Sequence, residues 1–206
     1  MLKTGRVGNI SKKQQMDNGK SFFMCDDSEC DHGKETMMDY ELSWVIRLAA
    51  DKEQCKGNEV LYDKCRAILG KLLGEKCVGE YRVESANVWK QWKRIDLIAN
   101  IVLENDGYPE KHIIIIENKA YTQLRDNQLA YSKIVDVEYG SYLDWEDCFK
   151  HFWVITCFEP DESGYIDLVD RCRDTCWTPI SLTELQDNTE PLTGEALFDE
   201  FWLKYW

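Results

Sequence analysis

The first thirty-six residues lack a regular apolar repeat; Lys, Gln, Asp and Gly dominate, and the pattern predicts a polar, flexible or loosely packed arm over 1–36. From residue 37 onward the pattern tightens, and nothing resembling a linker interrupts it before residue 206, so 37–206 reads as one domain. Leu42, Val45, Ile46 and Ala49, with Trp44 beside them, recur at helical spacing and predict a helix over 39–51 with Glu41 in its first turn. Val60, Leu61, Cys65, Ile68, Leu69 and Leu72 predict a second helix over 58–74, ended near Gly70 or Gly74.

The period then shortens. Residues 76–88 alternate loosely, and 94–104 (RIDLIANIVLE) are rich in β-branched side chains, so both read as strands. Asn105-Asp106-Gly107-Tyr108-Pro109 is a turn signal. Residues 112–117 (HIIIIE) form a continuous apolar run, the mark of a strand buried on both faces. A helix is expected from 124 to about 137, with Leu124, Leu129 and Ile134 on its buried side. A buried strand follows at 151–158 (HFWVITCF), then a strand-like 164–169, a helix near 181–186 and an amphipathic helix from 194 to the end. This order predicts an α/β fold with a mixed central β-sheet flanked by helices.

Composition sharpens that picture. A chain of 206 residues, 44% hydrophobic and 12% aromatic with 8 Trp, can bury a sizeable core. The 9 Cys are odd in number, no apolar core follows the polar start MLKTGRVGNISKKQQ, and no apolar stretch approaches the ~20 residues of a membrane span. The expectation is a cytoplasmic protein with reduced thiols and no membrane partner. Cys25-x4-Cys30-x-His32 and Cys172-x3-Cys176 match no common zinc spacing and read as ordinary thiols.

Two acidic residues interrupt the apolar strands. Asp96 sits between Ile95 and Leu97, and Glu117 ends the run of four isoleucines. A carboxylate in a buried strand is costly unless paired or bound to a metal. If the strands form a hairpin around 105–109, the two carboxylates converge at one end of the sheet. Lys119, two residues after Glu117, then shares its face, while Asn118 points away and leaves its carbonyl near the carboxylates. Such hard oxygen ligands suit Mg²⁺ or Mn²⁺. A metal there lowers the pKa of water and polarises a phosphoryl oxygen, and Lys119 stabilises the developing charge.

This D-x20-E-x-K arrangement resembles the PD-(D/E)xK nuclease superfamily. Ile115-Ile116-Glu117-Asn118-Lys119-Ala120, followed by Gln128-Leu129-Ala130-Tyr131, looks like a bacterial and phage branch in which an IENK segment leads into a Gln-Leu-x-x-Tyr helix. The resemblance covers roughly residues 37–160. It implies a restriction-endonuclease-like three-layer core, Asp96 and Glu117 as metal ligands, Lys119 as the catalytic lysine and Gln128 as a polar support to the centre. It also implies Tyr131 as an aromatic partner of Gln128, the Asn118 carbonyl beside the metal, and Glu41 on the first helix as a further ligand, with Glu84 its rival. Ile95 stands where the motif's name has proline, which weakens the motif's specificity more than its chemistry.

The implied activity is Mg²⁺-dependent hydrolysis of phosphodiester bonds in DNA, in restriction, repair or defence. The charge argues the other way. Lys+Arg total 25 against 38 Asp+Glu, a net charge of -13, whereas nucleic-acid binders usually present a basic surface. The alternatives are an inactive nuclease-fold binding module and RNA as substrate. Arg82, Lys90, Lys93 and Arg94, interleaved with Trp89 and Trp92, form the basic-aromatic cluster of the sequence; the two tryptophans serve equally well as core. The aromatic segment 198–206 fits a homodimer or larger complex, and fits equally a cap on the core.

Overall fold

The computed structural model describes residues 34–105, 107–141, 145–186 and 191–203. Two helices lead, α1 (Lys34–Leu48) and α2 (Glu59–Leu72), followed by β1 (Arg82–Trp92), β2 (Ile95–Asn105) and β3 (Tyr108–Lys119). Then come α3 (Asp126–Leu129), α4 (Tyr131–Tyr139), β4 (Phe149–Thr156), α5 (Ser163–Cys172), β5 (Trp177–Ser181), α6 (Leu182–Leu185) and α7 (Ala196–Leu203). The five strands lie in sequence order in one sheet. The β1–β2 and β2–β3 pairs are antiparallel, and β3–β4 and β4–β5 are parallel. The sheet is mixed, as the hydrophobic pattern predicted.

The isoleucine run explains the layering. Successive strand residues point to opposite faces. Ile114 and Ile116 join the α1–α2 side of the core with Leu42, Ile46, Leu69 and Trp202, while Ile113 and Ile115 join the α4–α5 side with Val135, Tyr139 and Leu168. Helices therefore cover both faces, giving three layers. Phe198, Phe201 and Trp202 of α7 are buried in the first of these clusters, so this part of the C-terminal aromatic segment caps the core.

Four elements differ from the sequence reading. Residues 164–169, expected as a strand, lie in α5, because Leu168 and Cys172, four apart, are its buried positions. The first strand begins at Arg82, since Lys76 turns back to donate its N–H to the Gly70 carbonyl inside α2. The helix expected over 124–137 is two pieces, α3 and α4, meeting at Ala130. The short β5 went unrecognised; its Pro179 is tolerated because β5 is an edge strand. Cys25, Cys30 and His32 lie outside the described residues.

Candidate active site

The β2–β3 hairpin positions the centre. Its register pairs Leu97 with Ile116, so the next step toward the open end sets Asp96 beside Glu117. Both carboxylates thus meet at the end of the sheet opposite the hairpin turn. Asp96 is held by both oxygens: Oδ2 accepts the Asn118 backbone N–H at 2.9 Å, and Oδ1 accepts from Gln91 Nε2 at 3.0 Å. Gln91 belongs to a tip where Gln91, Lys93 and Arg94 all have φ in the left-handed region (53°, 52° and 76°). Non-glycine residues adopt that conformation at a cost, and such strain concentrates at functional sites.

Glu117 is only 1% exposed, which excludes a surface ion pair. Its Oε2 accepts from Gln128 Nε2 at 2.8 Å, and Gln128 Oε1 accepts the Arg125 backbone N–H at 2.8 Å. Gln128 is therefore fixed at both ends of its amide. Burial first, and the neighbouring Asp96 second, push the Glu117 carboxyl up to about 8, against the opposing pull of Lys119. Its Oε1 is buried and has no hydrogen-bond partner among the described residues.

Lys119 projects its ammonium into the point where three oxygens converge. Nζ donates to the Asn118 carbonyl at 2.8 Å and lies 3.4 Å from Glu117 Oε2 and 3.8 Å from Asp96 Oδ2. The Asn118 side chain goes the other way and donates to Asp39 Oδ1 at 2.7 Å. Tyr131 is buried nearby; burial and then the charges of Glu117 and Asp96 push its phenol up.

The structure brings Asp96, Glu117, Asn118, Lys119 and Gln128 together. It does not bring Glu41 to them. Glu41 is buried with Oε2 unpartnered among the described residues, and burial followed by the Glu195 charge raises it to about 7. Residues two apart on a helix point about 200° apart. Asp39, not Glu41, therefore faces the strand end. Burial raises Asp39 to about 6, against the Asn118 hydrogen bond, and its Oδ2 lies 3.5 Å from Lys90 Nζ. Glu35, one turn earlier, accepts from the Ala120 N–H at 3.3 Å and from Thr122 Oγ1 at 2.9 Å. The i, i+4 spacing of Glu35 and Asp39 was the sequence signal for this second face of α1.

Glu84 and Arg82 lie at the far end of β1, where Arg82 pairs with Glu104 at 2.9 Å. Arg82 thus leaves the basic-aromatic cluster. Trp92 packs on Tyr139 as core, whereas Trp89 stays exposed. Cys172 is buried, Cys176 is exposed, and both are free thiols.

The donor set can be tested against a divalent cation. Among the described residues, no three His, Cys, Asp or Glu side chains converge as a metal cage. The set here is two carboxylates and one backbone carbonyl, all hard oxygens. That number suits Mg²⁺, which keeps several waters and takes its remaining oxygens from phosphate. The orphaned Glu117 Oε1 offers a further unclaimed lone pair. The residues fit.

Residues 48–146 match the family model described as the PD-(D/E)XK nuclease superfamily. No curated protein and no solved structure matches the chain. The matched span contains β1, β2, β3, α3 and α4, hence Asp96, Glu117, Asn118, Lys119 and Gln128, and leaves out Asp39 and most of α1. With the mixed sheet covered by helices on both faces, this match places residues 48–146 in the PD-(D/E)XK nuclease superfamily.

Proposed function

We propose that the protein is a divalent-metal-dependent nuclease that hydrolyses phosphodiester bonds of DNA, in restriction, repair or defence. The observation that carries this reading is the convergence of Asp96 Oδ2, Glu117 Oε2 and the Asn118 carbonyl on one ammonium, that of Lys119. Oxygens arranged to hold one positive charge at a sheet end suit Mg²⁺ or Mn²⁺, and Asp96, Glu117 and the Asn118 carbonyl are the proposed ligands. A divalent cation held there supplies Lewis-acid charge to the scissile phosphate and makes water easier to deprotonate.

The protein's own groups do the rest. Gln91 and the Asn118 N–H fix Asp96, and Gln128 fixes Glu117, so neither carboxylate needs to reorient when substrate arrives. Lys119 brings a cationic donor to the charge that grows on the phosphate oxygens. Water attacks phosphorus, the P–O bond to the leaving nucleotide breaks, and the proton removed from water matches the one gained by the leaving oxygen. Glu41 has no part in this scheme.

The net charge of -13 supports a second reading, a nuclease fold kept as a binding module. No helix among the described residues is long and apolar enough to cross a membrane, which is compatible with the proposed cytoplasmic location. A homodimer or larger complex remains part of the proposal. The test incubates the protein with linear, circular and single-stranded DNA in Mg²⁺, Mn²⁺ or EDTA. Metal-dependent cleavage that disappears in both Asp96→Ala and Lys119→Ala supports the nuclease. Uncleaved DNA in every condition supports the binding module.

A further inference from the structure

The end of β3 has two faces, and the centre uses one of them. Glu117 and Lys119 meet at the centre, whereas the Asn118 side chain goes to α1. The ladder between β2 and β3 runs from Asn105 and Tyr108 to Leu97 and Ile116. Past that point carboxylates take the N–H groups of β3. The Asn118 N–H goes to Asp96 Oδ2 at 2.9 Å, and the Ala120 N–H goes to Glu35 Oε1 at 3.3 Å. Glu35 Oε1 also accepts from Thr122 Oγ1 at 2.9 Å, and Asp39 Oδ1 accepts from Asn118 Nδ2 at 2.7 Å. Every second residue from 118 to 122 is thus tied to α1, while 117 and 119 are left to the chemistry. Glu35 and Asp39 share this work because residues four apart lie on one helix face.

Asn118 gives the tie its importance. Its N–H holds Asp96, and its carbonyl, a proposed ligand, accepts from Lys119 Nζ at 2.8 Å. A rotation of the backbone at Asn118 moves both. Asn118 is fully buried and Asp39 is 5% exposed, so their hydrogen bond lies away from bulk solvent, where one to a carboxylate is strong. Asp39 also reaches the other anchor of Asp96. Its Oδ2 lies 3.5 Å from Lys90 Nζ, and Lys90 precedes Gln91, which holds Asp96 Oδ1 at 3.0 Å. The same ammonium sits over the Tyr40 ring, 3.4 Å from its centroid.

Resting on the nuclease reading, we propose that Asp39 and Glu35 are positioning residues. With them α1 clamps the end of β3, so that Asp96, Glu117 and the Asn118 carbonyl keep the spacing a divalent cation needs. Both act through other groups: Asp39 through Asn118 and Lys90, Glu35 through the Ala120 N–H and Thr122. Both lie outside residues 48–146, so the family match assigns them no role.

The test is calorimetric titration of Mn²⁺ into the full chain without DNA, with cleavage in Mg²⁺ and thermal melting followed on the same samples. Asp39→Ala is expected to weaken Mn²⁺ binding about 10- to 100-fold, the usual cost of losing a group that orients a ligand. Glu35→Ala, at a half-buried position, is expected to weaken it by a smaller factor. Asp39→Asn keeps an oxygen for Asn118 Nδ2 and is expected to retain the parent affinity. Asn118→Ala leaves the backbone N–H and carbonyl in place and removes the same tie from its other end. It therefore reads the clamp even where Asp39→Ala does not fold. Because Asp39 acts through Asn118, the Asp39→Ala, Asn118→Ala double variant is expected to bind no more weakly than the weaker single, whereas independent losses multiply. Glu41→Gln, on another face of α1, is expected to bind as the parent does.

Parent affinity in Asp39→Ala, Glu35→Ala or Asn118→Ala overturns the clamp, as do multiplied losses in the double variant. Equal losses in Asp39→Asn and Asp39→Ala overturn it too, because charge and not the tie is then the cause. Failure of the nuclease reading looks different. A parent that binds Mn²⁺, loses affinity in these variants and cuts no DNA keeps the clamp and loses the activity. A parent that cuts DNA, with every variant binding Mn²⁺ as tightly, keeps the nuclease and loses the clamp. A parent that binds no Mn²⁺ removes both.

Discussion

Replacing Glu117 by glutamine tests the centre without any substrate. The carboxyl ionises near 4.5 in an unfolded chain and is pushed up to about 8 in the fold, chiefly by burial and then by Asp96. A raised acid favours the fold while it is neutral. Its contribution is therefore fully present below the unfolded value and is lost as pH rises through about 8. At pH 7 the unfolded chain has gained the ionisation energy and the folded chain has not, which costs the native state about 3 kcal/mol. Glutamine never ionises, and its amide oxygen still accepts from Gln128. Glu117→Gln is thus expected to stabilise the metal-free protein by about 3 kcal/mol at pH 7, and by under about 1 kcal/mol at pH 5. In melting temperature this is a gain of roughly 6–12 °C at pH 7 for a chain of this size. Urea or thermal unfolding in EDTA at pH 5, 7 and 8 measures it. Adding Mg²⁺ closes the gap, because it stabilises only the parent, by about 2.7 kcal/mol at 100 times its Kd. If the variant is no more stable than the parent at pH 8, Glu117 is already ionised and well compensated in the fold, and the argument fails.

Gln128→Ala frees Glu117 Oε2 and the Arg125 N–H together; cleavage is expected to fall about 10- to 100-fold while unfolding shifts little, and a kcat/KM series checks it. At the other end of the sheet, His112 Nδ1 and His151 Nε2 share a hydrogen bond at 2.9 Å, and burial lowers both rings, His151 to about 4. Their contribution is present above the unfolded value of 6.5 and is lost as pH falls toward about 4, so His151→Phe is expected to flatten the acid limb of a stability–pH profile. A methyl at Gly70 meets the Lys76 backbone carbonyl, so Gly70→Ala is expected to cost about 3 kcal/mol by denaturation, at the upper end of overpacking penalties.

Much of the fold and centre was legible because burial dictates sequence where a strand is covered on both sides. The four isoleucines and RIDLIANIVLE left few readings open, and the turn residues between them set the hairpin. Asp96 and Glu117 stood out because carboxylates are costly in such strands. The β1–β2 turn was hidden, since Lys93 and Arg94 take left-handed φ where glycine is the usual signal. In α5, Ile166-Asp167-Leu168 imitated strand alternation, and only the packing of Leu168 and Cys172 decides for a helix. Asp39 and Glu41 are both acids in the opening turns of α1, and which of them meets Asn118 depends on how that helix docks.

The isoleucine run has a consequence for handling the protein. Residues 113–116 combine high β-propensity with no charge and no proline, the signature of a segment that self-associates when exposed. In the native sheet β2 and β4 cover its two edges, so the hazard appears only on unfolding. Glu110, Lys111 and His112 precede it and Glu117 and Lys119 follow it, so charge brackets the run as gatekeepers do. Removing charge at Glu117 or Lys119 therefore also strips one bracket, and such variants are expected to precipitate faster than the parent once heated past their transition, however stable they are below it.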